Sequence, residues 1–284
     1  MKRKILLVFL ACAAMFACKK DTKLTYNSSD NIYLNYPNIL TLANPINDSL
    51  IYTFAYTPGI DKDTLWVPII VSGDRVAHDR KFLLSVVDSS TTAVSNLHYE
   101  PLKPFYIMPA DSGTTHVPVI IKNIDTALNN KSVVLTVRVS GGTDFGSSLP
   151  IGVRTKKIFF SNRLEQPAWW QYWGQLGPYS RVKHQLFLIS SGTTDLVEFT
   201  VPDFYLQIPR DLYYISNTHE FLIHPFDWVQ QHPEKGYVLT QRTDGTGDYD
   251  FYNINAPAKK FYLKYFSQAG VYVFIDENGN QVII

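Results

Sequence analysis

Ser132-Val133-Val134-Leu135-Thr136-Val137-Arg138-Val139 is the stretch that decides the fold. Val133, Leu135, Val137 and Val139 fall on one side of an extended chain, and Val134, Thr136 and Arg138 on the other. A period of two with one wetter face predicts a half-buried strand. Five more runs of the same kind surround it: Leu50–Tyr56, Thr64–Val71, Lys81–Val87, His116–Ile121 and Lys156–Phe160. They are short, rich in β-branched residues, and bounded by Gly, Asp, Asn and Ser. No amphipathic helix intervenes. Such a series predicts an N-terminal immunoglobulin-like antiparallel β-sandwich over residues 31–163. Pro68 and Pro118 sit inside two of the runs and predict edge positions, because proline cannot donate to a ladder.

Beyond the sandwich the composition changes. Gln166-Pro167-Ala168-Trp169-Trp170-Gln171-Tyr172-Trp173-Gly174 reads as a short helix between its proline and glycine. Arg181–Ile189 fits helix or strand, and Ala258–Phe266 reads as a short helix after Pro257. Val271–Ile275 and Gln281–Ile284 flank Asp276-Glu277-Asn278-Gly279, a hairpin signal. Residues 164–284 are therefore expected to form a C-terminal α+β region, and the whole chain to be mainly β.

The chain starts with Lys2-Arg3-Lys4, an apolar run Ile5–Ala17, and then Cys18-Lys19-Lys20-Asp21. This is the layout of a secretory signal, too short to remain as a spanning helix. Cysteine at the cleavage point predicts a lipoprotein signal over 1–17, an acylated Cys18 and a polar tether to residue 30. Cys12 is the rival site, but it would leave an apolar stub. Lys19 in place of aspartate is compatible with outer-membrane delivery. Both cysteines lie in the leader, so the mature body is expected to have no internal disulfide. A chain of 284 residues is long enough for a core without such staples.

Net charge is +1, and losing the three leader cations takes it to −2. A near-neutral body argues against a nucleic-acid partner. At 18% charged and 14% aromatic residues the composition of the chain is that of a folded rather than a disordered protein.

Trp169, Trp170, Tyr172, Trp173 and Tyr179 are the best binding candidates, since exposed rings stack on sugars and carry a polar handle. The competing reading puts them in a hydrophobic cap or joint. His219 and His224 are five apart, roughly 140° around a helix at ~100° per residue, which does not suit one metal. Pro225 suggests an extended end there. Asp244, Asp248 and Asp250 collect around two glycines but lack the calcium-loop alternation, so a solvated turn is expected. Asp74, Asp79 and Arg80 read as a turn with a structural ion pair. No metal, cofactor or catalytic residue is expected. No Gly-x-Ser-x-Gly elbow, phosphate loop or catalytic thiol occurs, although glycosidase carboxylates need no sequence proximity.

Several short motifs carry a resemblance. They are Ile51–Tyr56, Val71-Ser72-Gly73-Asp74 with Asp79-Arg80-Lys81, His98-Tyr99-Glu100, Met108-Pro109-Ala110 before Val117-Pro118-Val119, and Gln166-Pro167 with Trp170 before Leu176-Gly177-Pro178-Tyr179-Ser180. Together they resemble the domain-of-unknown-function 4843 family, lipoproteins of Bacteroidota, over roughly residues 30–284. The family usually has Arg-Pro at Gln166-Pro167, so a role of that arginine does not carry over. The segment Asp203–Asn255 looks particular to this chain. The resemblance implies a gene neighbourhood of outer-membrane transporters and their lipoprotein partners, and no catalytic residues.

The resulting expectation is a non-enzymatic binding or accessory lipoprotein of an outer-membrane nutrient uptake system, with glycan as ligand. It would be held by its lipid at the outer membrane, facing the surface or the periplasm. Its expected partners are the membrane, a transporter with its lipoprotein partner, and a polysaccharide. The alternatives are a structural partner of the transporter without a ligand of its own, and a hydrolase.

Overall fold

A computed structural model describes residues 29–34 and 49–284. The leader, Cys12, Cys18 and the tether up to residue 28 lie outside the described residues.

The strands expected from period-two patterning are present, and they build two facing sheets. One contains β1 (Asn31–Leu34), β3 (Lys62–Ser72) and β6 (Thr114–Lys122), in the order β1-β3-β6. The other has the order β2-β8-β7-β4-β5, from β2 (Ser49–Thr53), β4 (Arg80–Val86), β5 (Tyr106–Met108), β7 (Val133–Ser140) and β8 (Thr155–Ser161). A one-turn helix, α1 (Ile151–Arg154), leads into β8. Pairing is antiparallel except for β2 on β8, which runs parallel, Ser49 opposite Lys157. Val133, Leu135, Val137 and Val139 are buried, as their alternation requires. They meet Ile69, Val117, Val119 and Ile121 from the opposite sheet in one apolar core.

The prolines divide. Pro118 lies on the edge strand β6. Pro68 lies on β3, the middle strand of its sheet, contrary to the edge expectation. Among the described residues β1 pairs with β3 from Ile69 to Ser72, and position 68 lies just beyond that register.

The C-terminal part contains α2 (Arg181–Ser190), α3 (Ile208–Ile223) and α4 (Pro225–Gln231), then an antiparallel meander. Its strands are β9 (Tyr237–Gln241), β10 (Tyr249–Asn253), β11 (Phe261–Phe266) and β12 (Val271–Ile275), side by side in chain order. The helix expected over Ala258–Phe266 is strand β11. Phe261 and Leu263 are buried and flank the half-buried Tyr262, so period two prevails. Pro225 does not end in extended chain; it occupies the first position of α4, where a missing N–H costs nothing. The segment after Gln166 forms two 3₁₀ turns, Ala168–Tyr172 and Gly174–Leu176. The final hairpin forms in part, with a bridge between Ile275 and Gln281.

Helices and meander share one apolar cluster, and the 3₁₀ turns with α2 and α3 share another. The sandwich cluster is separate from both. Polar residues from both parts, among them Asp61, Asn123, Arg181 and Lys259, line a joint between the sandwich and the C-terminal part.

Candidate functional site

The five aromatic residues do not form a surface platform. Trp169, Trp170 and Trp173 are buried, and their faces are taken by other rings. Trp169 stacks on Trp170 at 5.5 Å and meets Phe187 at 5.5 Å. Trp170 meets Tyr179 edge-on at 5.0 Å. Their polar handles are used inside the protein, Trp170 Nε1 donating to Gly177 O and Trp173 Nε1 to Val197 O, both at 3.0 Å. Tyr179 donates to Leu164 O at 3.1 Å, and burial pushes its phenol up to about 12. Tyr172 is half-buried and stacks on Phe199 at 5.4 Å. The exposed-ring expectation is corrected for the three tryptophans. A 3₁₀ turn brings them in against α2, the hydrophobic-cap arrangement.

The other sequence candidates take structural positions. Arg80 Nη1 pairs with Asp30 at 2.6 Å, its Nη2 donates to Asp74 O, and Asp79 accepts from Ala110 N. His219 and His224 are exposed. Asp244 and Asp250 bind Arg242, while Asp248 accepts from Tyr262 and the Tyr265 amide. Bonds from Thr246 and Arg242 hold Asp244 down to about 2. Among the described residues no group of three or more His, Cys, Asp or Glu side chains is placed to hold a metal.

The joint itself carries a cleft of about 270 Å³. Three sandwich loops form one wall. Asp61 comes from the turn before β3, Asn123 from the end of β6, and Asn162 from the exit of β8. Between the last two, Asp125 caps a 3₁₀ turn by accepting from Ala127 N at 2.9 Å. That bond, and a second from His98, lower the Asp125 carboxyl. His98 Nδ1 accepts from Val94 N, so Nε2 carries the proton donated to Asp125 at 2.9 Å.

The opposite wall is set by a helix start. Ser180 Oγ accepts from Lys183 N at 3.2 Å, which fixes Arg181 as the first residue of α2. Arg181 Nη2 reaches across to Asn129 Oδ1 at 2.6 Å and Asn162 O at 3.2 Å. Lys259, before β11, donates to Ile60 O at 2.6 Å and lies 3.4 Å from Asp61 Oδ1. Burial lowers both the Arg181 and Lys259 cations.

Most buried polar groups in folded proteins find a partner. In this cleft four do not form a hydrogen bond with any described residue: Asp61 Oδ1, Asn123 Nδ2, Asn162 Oδ1 and Arg181 Nε. Asp61 still has the Lys259 charge near it. Asn123 and Asn162 are only 3% and 6% exposed, so water reaches them poorly. Two donors and two acceptors thus lie buried on residues that line one cleft, a common setting for ligand sites. Sequence reasoning missed these residues. They come from separate loops, with no motif spacing; only the Ser-Arg helix start left a local signal.

The family model described as a domain of unknown function (DUF4843) matches residues 26–193. That span includes the sandwich, the 3₁₀ turns and α2, hence both walls of the cleft except its Lys259 corner. No curated protein matches the chain. Solved structures resemble it in part. CBD12 from CALX1.2 is 9% identical, with 46% of this chain and 43% of that one covered and a TM-score of 0.32. A "putative carbohydrate binding protein" from Bacteroides ovatus is 11% identical, with 48% and 38% covered and a TM-score of 0.35. The apo Calx CBD1 domain is 9% identical, with 47% and 97% covered and a TM-score of 0.31. The likeness spans less than half of each of the first two chains.

Proposed function

The chain belongs to the DUF4843 family, and from that premise we propose a non-enzymatic binding module of the cell envelope that holds a small polar ligand at the joint of its two bodies. The observation that carries the reading is that Asn123, Asn162 and Arg181 line one cleft, and each has a buried polar atom, Nδ2, Oδ1 and Nε in turn, without a hydrogen-bond partner among the described residues. A ligand with hydroxyls satisfies such groups, and each bond made to a desolvated group recovers part of a penalty of about 1–3 kcal/mol. The acids of the cleft are held by neighbours, Asp61 by Lys259 and Asp125 by His98 and Ala127, which fits binding better than acid–base chemistry.

The cell-envelope part of the proposal rests on the leader, with Cys18 as the lipidated residue and the outer membrane as its site. No helix among the described residues is long and apolar enough to cross a membrane. Work as an accessory of a glycan uptake system follows from combining the anchor with the cleft. The test is affinity electrophoresis of residues 23–284 on a polysaccharide panel, with oligosaccharides added as competitors. Retardation by one polysaccharide that Asn123→Ala and Asn162→Ala weaken at least tenfold is expected. Retardation unchanged in both variants, or none across the panel, rejects the cleft. Loss of lipid labelling in Cys18→Ser checks the anchor.

A second reading is docking onto a transporter. Tyr205, Leu206 and Tyr213 are 58%, 69% and 63% exposed, just beyond the family-matched span. Co-purification of the transporter, lost in Tyr213→Ser but retained in Asn123→Ala, would favour it.

A further inference from the structure

We propose that the joint cleft recognises a hydroxylated carboxylate, such as an acidic sugar unit, with the carboxylate held by Arg181. This inference rests on the binding reading above and adds the ligand's charge.

The charge arrangement is the first argument. Lys259 has Asp61 at 3.4 Å, and Lys260 has Asp250 at 2.8 Å. Arg181 has no acid within ion-pair distance among the described residues. Its side chain donates to the neutral oxygens Asn129 Oδ1 and Asn162 O. The acid whose charge acts on it most is Glu277, and the two Glu277 oxygens accept from the backbone amides of Arg181 and Val182, at 2.5 and 3.0 Å. A half-buried guanidinium with only neutral acceptors is incompletely compensated. It stays charged in proteins, so its demand is met by an anion rather than by proton loss. A carboxylate suits the guanidinium fork, and here Nε is buried and unpartnered.

The second argument is the pair of buried amides. Asn123 presents a donor and Asn162 an acceptor. The Asn162 orientation is fixed, because its Nδ2 donates to Asn129 Oδ1 at 2.7 Å. A hydroxyl both donates and accepts, so a polyol satisfies this mixed pair, which a bare inorganic anion does not. The volume of about 270 Å³ lies at the small end of ligand sites and suits one ring-sized unit.

The experiment is calorimetric titration of the full body, residues 23–284, with matched probes: glucose against glucuronate, galactose against galacturonate, and polygalacturonate as the polymer arm. The expected result is at least tenfold tighter binding of the acid of each pair, weakening as salt rises from 50 to 500 mM. Arg181→Gln should erase the acid preference, and Arg181→Lys should retain part of it. A gain for polygalacturonate over the monomer assigns a chain as the source; equal affinity assigns a free sugar acid. Equal binding of acid and neutral probes, lost in Asn123→Ala, overturns the charge inference and leaves the cleft reading standing. No binding by any probe or panel polysaccharide overturns both. The wild-type acid-to-neutral ratio and its salt dependence decide the matter even if Arg181→Gln folds poorly.

Discussion

Arg181 Nη2 donates to Asn129 Oδ1 at 2.6 Å, and this bond ties the first turn of α2 to a loop of the sandwich. Asn162 Nδ2 donates to the same oxygen at 2.7 Å. One amide oxygen therefore holds both bodies in place around the cleft. Hydrogen bonds to a charged donor contribute about 1.5–3 kcal/mol when their loss leaves a desolvated group. A double-mutant cycle of Arg181→Gln and Asn129→Ala should show coupling of about 1–2 kcal/mol in urea unfolding. Coupling below about 0.3 kcal/mol would show that the joint is held by other contacts.

Glu277 grips the other side of the same residue. Its carboxylate accepts from the amides of Arg181 and Val182, so the closing turn after β12 caps α2 from outside the helix. A negative charge at a helix start is favourable on two counts, satisfying orphan donors and opposing the dipole. Glu277→Ala should cost about 1–2 kcal/mol and Glu277→Gln about half of that. Equal losses in both variants would remove the charge from the account, and no loss in either would remove the cap.

The sandwich was legible in the sequence because its signal is local. Val133, Leu135, Val137 and Val139 state their common face without reference to distant residues. The same logic was available for Phe261 and Leu263, but Pro257 drew the reading toward a helix start. Helix α3 was missed because its buried face mixes Ile215 and Phe221 with Asp211 and Thr218, which blurs the apolar stripe. The aromatic segment could not be resolved either way. Its partners His184, Phe187, Val197 and Phe199 lie fifteen or more residues downstream of Trp169, and only tertiary packing decides between platform and core. The cleft was less legible still. Asn123 and Asn162 are single polar residues just past strand ends and Arg181 opens a helix, places where polar residues are ordinary. What distinguishes them is burial without partners, a property of the fold and not of spacing.

Trp173 should behave as a core residue. It is 2% exposed, and its indole donates to Val197 O. Trp173→Ala should cost about 3–5 kcal/mol through the cavity it leaves. Trp173→Phe keeps a ring but strands the Val197 carbonyl, at about 1–3 kcal/mol. Chemical denaturation measures both. Ligand affinity of the folded fraction should stay within twofold of wild type for Trp173→Phe. A large affinity loss without destabilisation would restore the tryptophan to the binding surface.

His184 provides the pH dependence. Its ring lies between Trp169, Trp170 and Tyr179, and burial alone pulls its pKa down to about 4 from 6.5. The folded protein keeps it neutral, while the unfolded chain protonates it near 6.5. Between these values the unfolded state binds more protons, so the stability contributed by neutral His184 is fully present above about pH 6.5. It declines as pH falls through the window and is gone below about 4. The full amplitude is on the order of 3 kcal/mol. His184→Phe keeps an aromatic ring in the same cage. It leaves no new orphan at Nε2, which has no partner among the described residues, and Tyr179 retains its bond to Leu164 O. The stability difference between wild type and His184→Phe should therefore shift in favour of the variant by about 2 kcal/mol between pH 7 and pH 4.5. Parallel stability profiles for the two proteins across that range would mean that His184 is protonated, or reached by solvent, in the folded state.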